Sequence, residues 1–221
     1  MAASSAFHRV LPAVALLAFF HSTSCGGEHV VARAATAPPA AAAVDLRPPE
    51  AFASIADRDA RSRALFVEVS RVLFHPRCVN CHPSDDSPRQ RELSELHDPP
   101  VTRGEDDRGV PAMRCSSCHQ DANLPLARVP GAPEWHLAPR SMAWLGKTPA
   151  AVCVQVKDPL KNGGRSLAKI VEHAAHDQLV AWGWSPGHGR APAPGSQERF
   201  GALVAAWVET GAACPGEEAT R

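Results

Sequence analysis

Tyrosine is absent from the 221 residues, and seven Phe with five Trp bring the aromatic share to only 5%. Much of the 44% hydrophobic content is alanine, which buries little area. The length fits one domain or two small ones, yet with so little bulky apolar material the chain needs another source of core. Neither sign of charge is in excess: 23 basic side chains balance 23 acidic ones, which argues against a nucleic-acid binder with its basic stripe. The 21 Pro and 15 Gly are too few to make the whole chain read as disordered. What the sequence does hold is seven Cys and 11 His.

Residues 1–24 read as an export signal. Arg9 is followed by an apolar run from Val10 to Phe20, which suits a signal-peptide core and is too short to span a bilayer. Ser22, Thr23 and Ser24 lead into Cys25-Gly26-Gly27, which looks like a lipoprotein processing site with Cys25 as the acylated residue. Ser22 stands where such sites usually carry an aliphatic, so ordinary cleavage nearby, or at Ala32-Arg33-Ala34, is the alternative. Full acylation of Cys25 would hold the protein at a membrane. Residues 25–50 are rich in Ala and Pro and read as a semi-rigid tether. Residues 51–215 form the expected domain and 216–221 a tail.

Two motifs carry the chemistry. Cys78-Val79-Asn80-Cys81-His82 and Cys115-Ser116-Ser117-Cys118-His119 are both C-x-x-C-H, the attachment motif of c-type haem. On a helical turn, positions i, i+3 and i+4 share a face, so both thiols reach one porphyrin and the His comes under its iron as proximal ligand. A zinc site of two C-x-x-C knuckles, or a pair of redox dithiols, would use the same cysteines. Neither explains why His follows each pair. The expectation is two covalently bound haem c groups, which would also supply the missing core. On that reading the apoprotein is largely unfolded.

Of the other cysteines, Cys153 and Cys214 are left over in an oxidising compartment and are expected to form a disulfide. It would close a loop of about 60 residues and stabilise by roughly 4 kcal/mol in the chain-entropy view. Helical spacing predicts a helix from about Ser54 to Phe74 with Leu65, Phe66, Val69, Val72 and Leu73 on one face. A second runs from Ser166 to about Trp182, with Leu167, Ile170, Val171 and Ala174 inward. A third runs from Gln197 to Thr210 after the N-cap Ser196 and carries Phe200, Leu203, Val204 and Trp207. Pro83 to Pro149 reads as loops and short turns around the haems, with no convincing strand. The class is mainly α: a compact dihaem cytochrome c domain with extensive irregular loops.

Each iron needs a sixth ligand. His97 follows the proximal His82, and His136 follows His119, each in a Pro-containing loop long enough to fold over a porphyrin face. These two are the candidate distal ligands. Met142 is the rival for one site, and Trp135 could stack near a haem edge. His75 and Met113 sit too close to their own motifs, though His75 could serve the other haem. His29 lies in the tether, His188 in a Gly/Pro loop. His173 lies off the apolar stripe of its helix and, with His176, reads as a surface residue or an alternative ligand. Seven spare His against two spare Met favour bis-His coordination, which gives a lower potential than Met/His.

From about Phe74 to Pro215 the chain resembles a family of bacterial dihaem cytochromes named as isoquinoline 1-oxidoreductase subunits. The likeness rests on Phe74-His75-Pro76-Arg77 with the first motif, Pro99-Pro100-Val101-Thr102-Arg103-Gly104, and Met113-Arg114 with the second motif. Trp135-His136-Leu137-Ala138-Pro139, Trp182-Gly183-Trp184 and Trp207 to Pro215 complete it. The resemblance implies an electron-transfer protein, not itself an enzyme, that serves as the cytochrome partner of a molybdopterin-dependent hydroxylase of the xanthine-oxidase type. The expected location is the periplasm, with a membrane attachment if Cys25 is acylated. A dihaem peroxidase or a haem-based sensor is the alternative.

Overall fold

The structure, a computed structural model, describes residues 45–216 apart from 188, all within one unit of the fold. The export segment, Cys25, His29, His188 and residues 217–221 lie outside the described residues. Helix α1 (Arg58–Leu73) starts at Asp57, whose carboxylate accepts from the Ala60 amide at 2.6 Å. That cap sets the start a turn later than apolar spacing suggests. Pro76 cannot extend α1, and His75 instead caps a short α2 (Pro76–Val79), its Nδ1 accepting from the Arg77 amide.

Helix α3 (Pro149–Lys157) has Thr148 as cap and buries Val152, Cys153 and Val156. Helix α4 (Leu167–His176) is capped by Ser166 and is followed by α5 (Gln178–Ala181) and a 3-10 turn at Trp182–Trp184. Helix α6 (Gln197–Glu209) is capped by Ser196, whose Oγ accepts from Arg199 at 3.1 Å. The fold is mainly α, as the periodicity indicates.

The core lies where α1 and α6 meet. Phe66 and Trp207 pack with ring centroids 5.0 Å apart, and Leu65, Val72 and Leu203 around them are essentially inaccessible. Ser62 hydroxyl joins the layers, donating to Trp207 O and accepting from Ala213 N. On the far side of α6, Gly201 lies against α4; a Cβ there would come 2.7 Å from Ala175 Cβ, so only glycine allows the contact. A disulfide joins Cys153 of α3 to Cys214 beyond α6, Cα to Cα 5.6 Å, with both residues fully buried.

Several features depart from the sequence reading. The predicted helix from Ser166 to Trp182 breaks at Asp177, whose extended backbone leaves its carboxylate free to cap α5. Helix α3 starts at Pro149, where the stretch read as loops ends, and is not among the helices expected from apolar spacing. Two antiparallel hairpins, β1 (Arg89–Gln90) with β2 (Glu95–Leu96) and β3 (Gly109–Val110) with β4 (Met113–Arg114), occur where no strand was expected. Two residues per strand are too few to show alternation. Leu46 is only 2% exposed, inside the segment read as tether, and Arg47 is bonded to Glu68 of α1. Among the described residues, no helix is long and apolar enough to cross a membrane.

Candidate functional site

The turn of α2 continues through the first motif: the Cys81 amide donates to Cys78 O at 3.0 Å and that of His82 to Val79 O at 3.0 Å. Cys78, Cys81 and His82 therefore share one face. They line a cavity with Leu73, Trp144, Ile170 and Ala174 that encloses about 1240 Å³ of atom-free space, counting the part open to solvent.

The segment after residue 137 is clasped onto this motif. Ala138 N donates to Cys81 O, and Trp144 N and Leu145 N both donate to His82 O. The His82 ring lies parallel to the Trp144 indole, 3.3 Å between centroids, and its Nδ1 is 2.7 Å from Met142 O. A carbonyl only accepts, so Nδ1 carries the proton and Nε2 keeps a bare lone pair. Burial drives the His82 pKa down to about 3 against the opposing pull of that carbonyl, so the ring is neutral. Burial likewise pushes the Cys78 and Cys81 thiols up to about 12 and about 11.

The second motif is built the same way on a tighter turn. The Cys118 and His119 amides both donate to Cys115 O. His119 Nδ1 donates to Pro130 O at 2.7 Å, which again leaves Nε2 bare. The ring stacks on Trp135, centroids 4.6 Å apart and planes 8° apart, and burial lowers its pKa. Cys118 is exposed, while Cys115 is half-buried and close enough to Cys81 for their charges to interact. The two motifs are therefore neighbours in space. Trp135 also meets Trp182, a residue of the first cavity's wall.

The two candidate distal histidines do not lie over their nearest motifs. His97, which follows His82 in the chain, leaves the β1–β2 hairpin to stand edge-on to His119, centroids 5.9 Å apart. Its Nδ1 donates to Pro99 O at 2.8 Å. His136, which follows His119, lines the cavity of His82, because Leu137 and Ala138 are bonded back to Asp107 and Cys81. Met142 lines the same cavity and spends its carbonyl on His82.

Among the other histidines, His75 serves as a cap and His176 is exposed. Met113 is 42% exposed on β4. His173, read as off the apolar face, lines the first cavity with its Nδ1 3.0 Å from Asp177 Oδ2. Sequence reasoning passed over Trp144 and Asp177, and met Arg77 only as part of the resemblance, with no role. Only Asp177 carried a local signal, one helical turn after His173.

The residues fit a covalently held porphyrin. Two thiols and an imidazole with a bare Nε2 face one mainly apolar cavity. Arg77, with its side chain 2% exposed, lines the same cavity; its guanidinium pairs with Glu92, while its buried Nε has no hydrogen-bond partner. A buried donor left over in this way suits an acidic substituent on an apolar ligand. Among the described residues, no three His, Cys, Asp or Glu side chains converge in the way a tetrahedral zinc site requires. Comparisons with family models, with curated proteins and with solved structures find no match to this chain.

Proposed function

We propose that the protein is an exported dihaem c-type cytochrome that carries electrons between a redox partner and a respiratory acceptor. The observation that carries this reading is the repeated construction of the two motifs. In each, a turn bonded back to its first cysteine presents both thiols and a His whose Nδ1 is spent on a carbonyl. Haem bound there supplies one-electron chemistry at iron.

The chain's own residues bind and orient. Cys78, Cys81 and His82 hold one group; Cys115, Cys118 and His119 hold the other. Met142 O and Pro130 O fix the proximal rings and raise their basicity, as outer partners of ligating histidines do. Trp144, Ile170 and Ala174 keep water from the first site. At the second, His97 is the proposed distal ligand. His97 stands edge-on to His119, with 5.9 Å between ring centroids, and would hold the group from that side.

The partner proposed from the resemblance is a molybdopterin-dependent hydroxylase, and the location is the periplasm, with Cys25 as lipid anchor. The test is expression in a host that matures c-type cytochromes. The expected result is a red protein whose mass exceeds that of its processed chain by two haems, with reversible reduction and no carbon monoxide binding. Colourless protein without added mass overturns the reading. Fast carbon monoxide binding at one haem turns it to an enzyme of peroxidase type or a sensor.

A further inference from the structure

We propose that His173, oriented by Asp177, is the sixth ligand of the iron held at Cys78, Cys81 and His82, in place of His136 or Met142. The inference rests on the dihaem reading above and concerns which of this chain's residues completes the first site.

Three histidines line that cavity: His82, His136 and His173. His173 belongs to α4, whose Ile170 and Ala174 are on the same helix face and line the same wall. His136 and Met142 flank or belong to the segment clasped to the carbonyls of Cys81 and His82, and the Met142 carbonyl is already spent on the proximal ring. They therefore approach with the motif itself, whereas α4 forms a separate wall anchored on α6 through Ala175 and Gly201.

His173 is also the one cavity-lining candidate whose ring is held by a carboxylate. Asp177 Oδ2 accepts from His173 Nδ1 at 3.0 Å, which leaves Nε2 bare. The other carboxylate oxygen of Asp177 accepts from Leu179 N at 2.8 Å and Val180 N at 3.0 Å, and the Asp177 carbonyl accepts from Gln197 Nε2. The break in the helix at Asp177 thus fixes a carboxylate behind the imidazole, the arrangement that orients metal-binding histidines and makes them more basic.

The experiment uses the full-length holoprotein, with two haems per chain verified by mass and by pyridine haemochrome; protein that lacks them overturns the parent reading rather than this one. In reduced His173→Ala, half of the haem is expected to bind carbon monoxide, and added imidazole restores the low-spin spectrum and blocks binding. Should that variant not accumulate, His173→Met is expected to gain a far-red thioether-to-iron band at one haem. Asp177→Asn keeps the Oδ1 cap and is expected to raise the potential of one haem and leave the other unmoved. Carbon monoxide binding by His136→Ala but not by His173→Ala overturns the assignment. So does an Asp177→Asn protein with both potentials unchanged, or a His173→Met protein without the band.

Discussion

Trp135 meets Trp182 edge to face, with 5.0 Å between ring centroids and 83° between planes. Trp135 stacks on His119 of the second motif, while Trp182 lines the cavity of the first and donates its Nε1–H to Asn123 Oδ1 at 3.0 Å. The pair is an aromatic seam between the two sites. Each such contact contributes ~0.5–1.5 kcal/mol beyond its buried area. Trp135→Ala should therefore lower stability by about 2–3 kcal/mol in urea melts. In the proposed dihaem form it should also shift the low-spin resonance signals of one haem more than those of the other, since only the His119 ring loses its stacking partner.

The disulfide between Cys153 and Cys214 spans a sequence separation of 61 residues and closes the α3 side of the core. Replacing both by Ala is expected to cost about 2–4 kcal/mol, measured as a lower denaturation midpoint under non-reducing conditions. Peptide mapping of the unreduced protein should recover the two cysteines in one crosslinked peptide. Alkylation of both thiols in native protein would contradict the bridge.

Glu68 sets a pH dependence. Burial raises its carboxyl pKa, but the Arg47 amide, the Arg47 guanidinium and Arg71 together outweigh burial and bring it below the ordinary 4.5. A folded-state pKa that lies lower than the unfolded one stabilises the protein above about 4.5, and that stability is lost as pH falls through the folded value. Glu68→Gln should therefore be less stable than the parent by about 1–3 kcal/mol at neutral pH, with the gap closing as pH falls below the ordinary 4.5 and through the lowered folded-state value. A gap that stays constant over that range would show that the charge is not what holds Arg47 in place.

The sequence alone reads the haem-free protein as largely unfolded; the packed core makes partial folding the expectation instead. The core around Phe66, Leu203 and Trp207, pinned by the disulfide, is complete without any residue of the second motif. Residues 83–147 have instead two short hairpins and the buried Arg103, which bonds Ala138 O and Asp85 O and pairs with Asp86 and Asp107. With Cys78, Cys81, Cys115 and Cys118 replaced by Ala, circular dichroism should keep the signal of α1, α3 and α6. Amide exchange should lose protection across 83–147. Uniform loss of helix, or uniform retention of protection, would contradict this division.

Apolar spacing located α1, α4 and α6 because each buries a stripe that repeats at helical period, and Ser196 and Ser166 marked two starts. The break at Asp177 was not visible that way. Its cause is a side chain that caps the following turn, while the apolar pattern runs on through Leu179 and Val180. Both C-x-x-C-H motifs were legible as local spacing. The crossing of His97 to His119 and of His136 to the His82 cavity was not, since it depends on hairpin and loop paths fixed by long-range bonds such as Leu137 N to Asp107 O. Trp144 left no trace in the sequence because its partner, His82, lies far back along the chain, before both hairpins and the second motif.

The clasp of residues 138–145 over Cys81 and His82 has a meaning in time as well as space. Sulfurs that hold their protons this tightly are poor nucleophiles. If the proposed thioether links form, they must form while the chain still hangs open, before those amides find the carbonyls they bind in the finished fold. Under that proposal manufacture precedes closure, and a polypeptide that shuts early loses its chance to be completed.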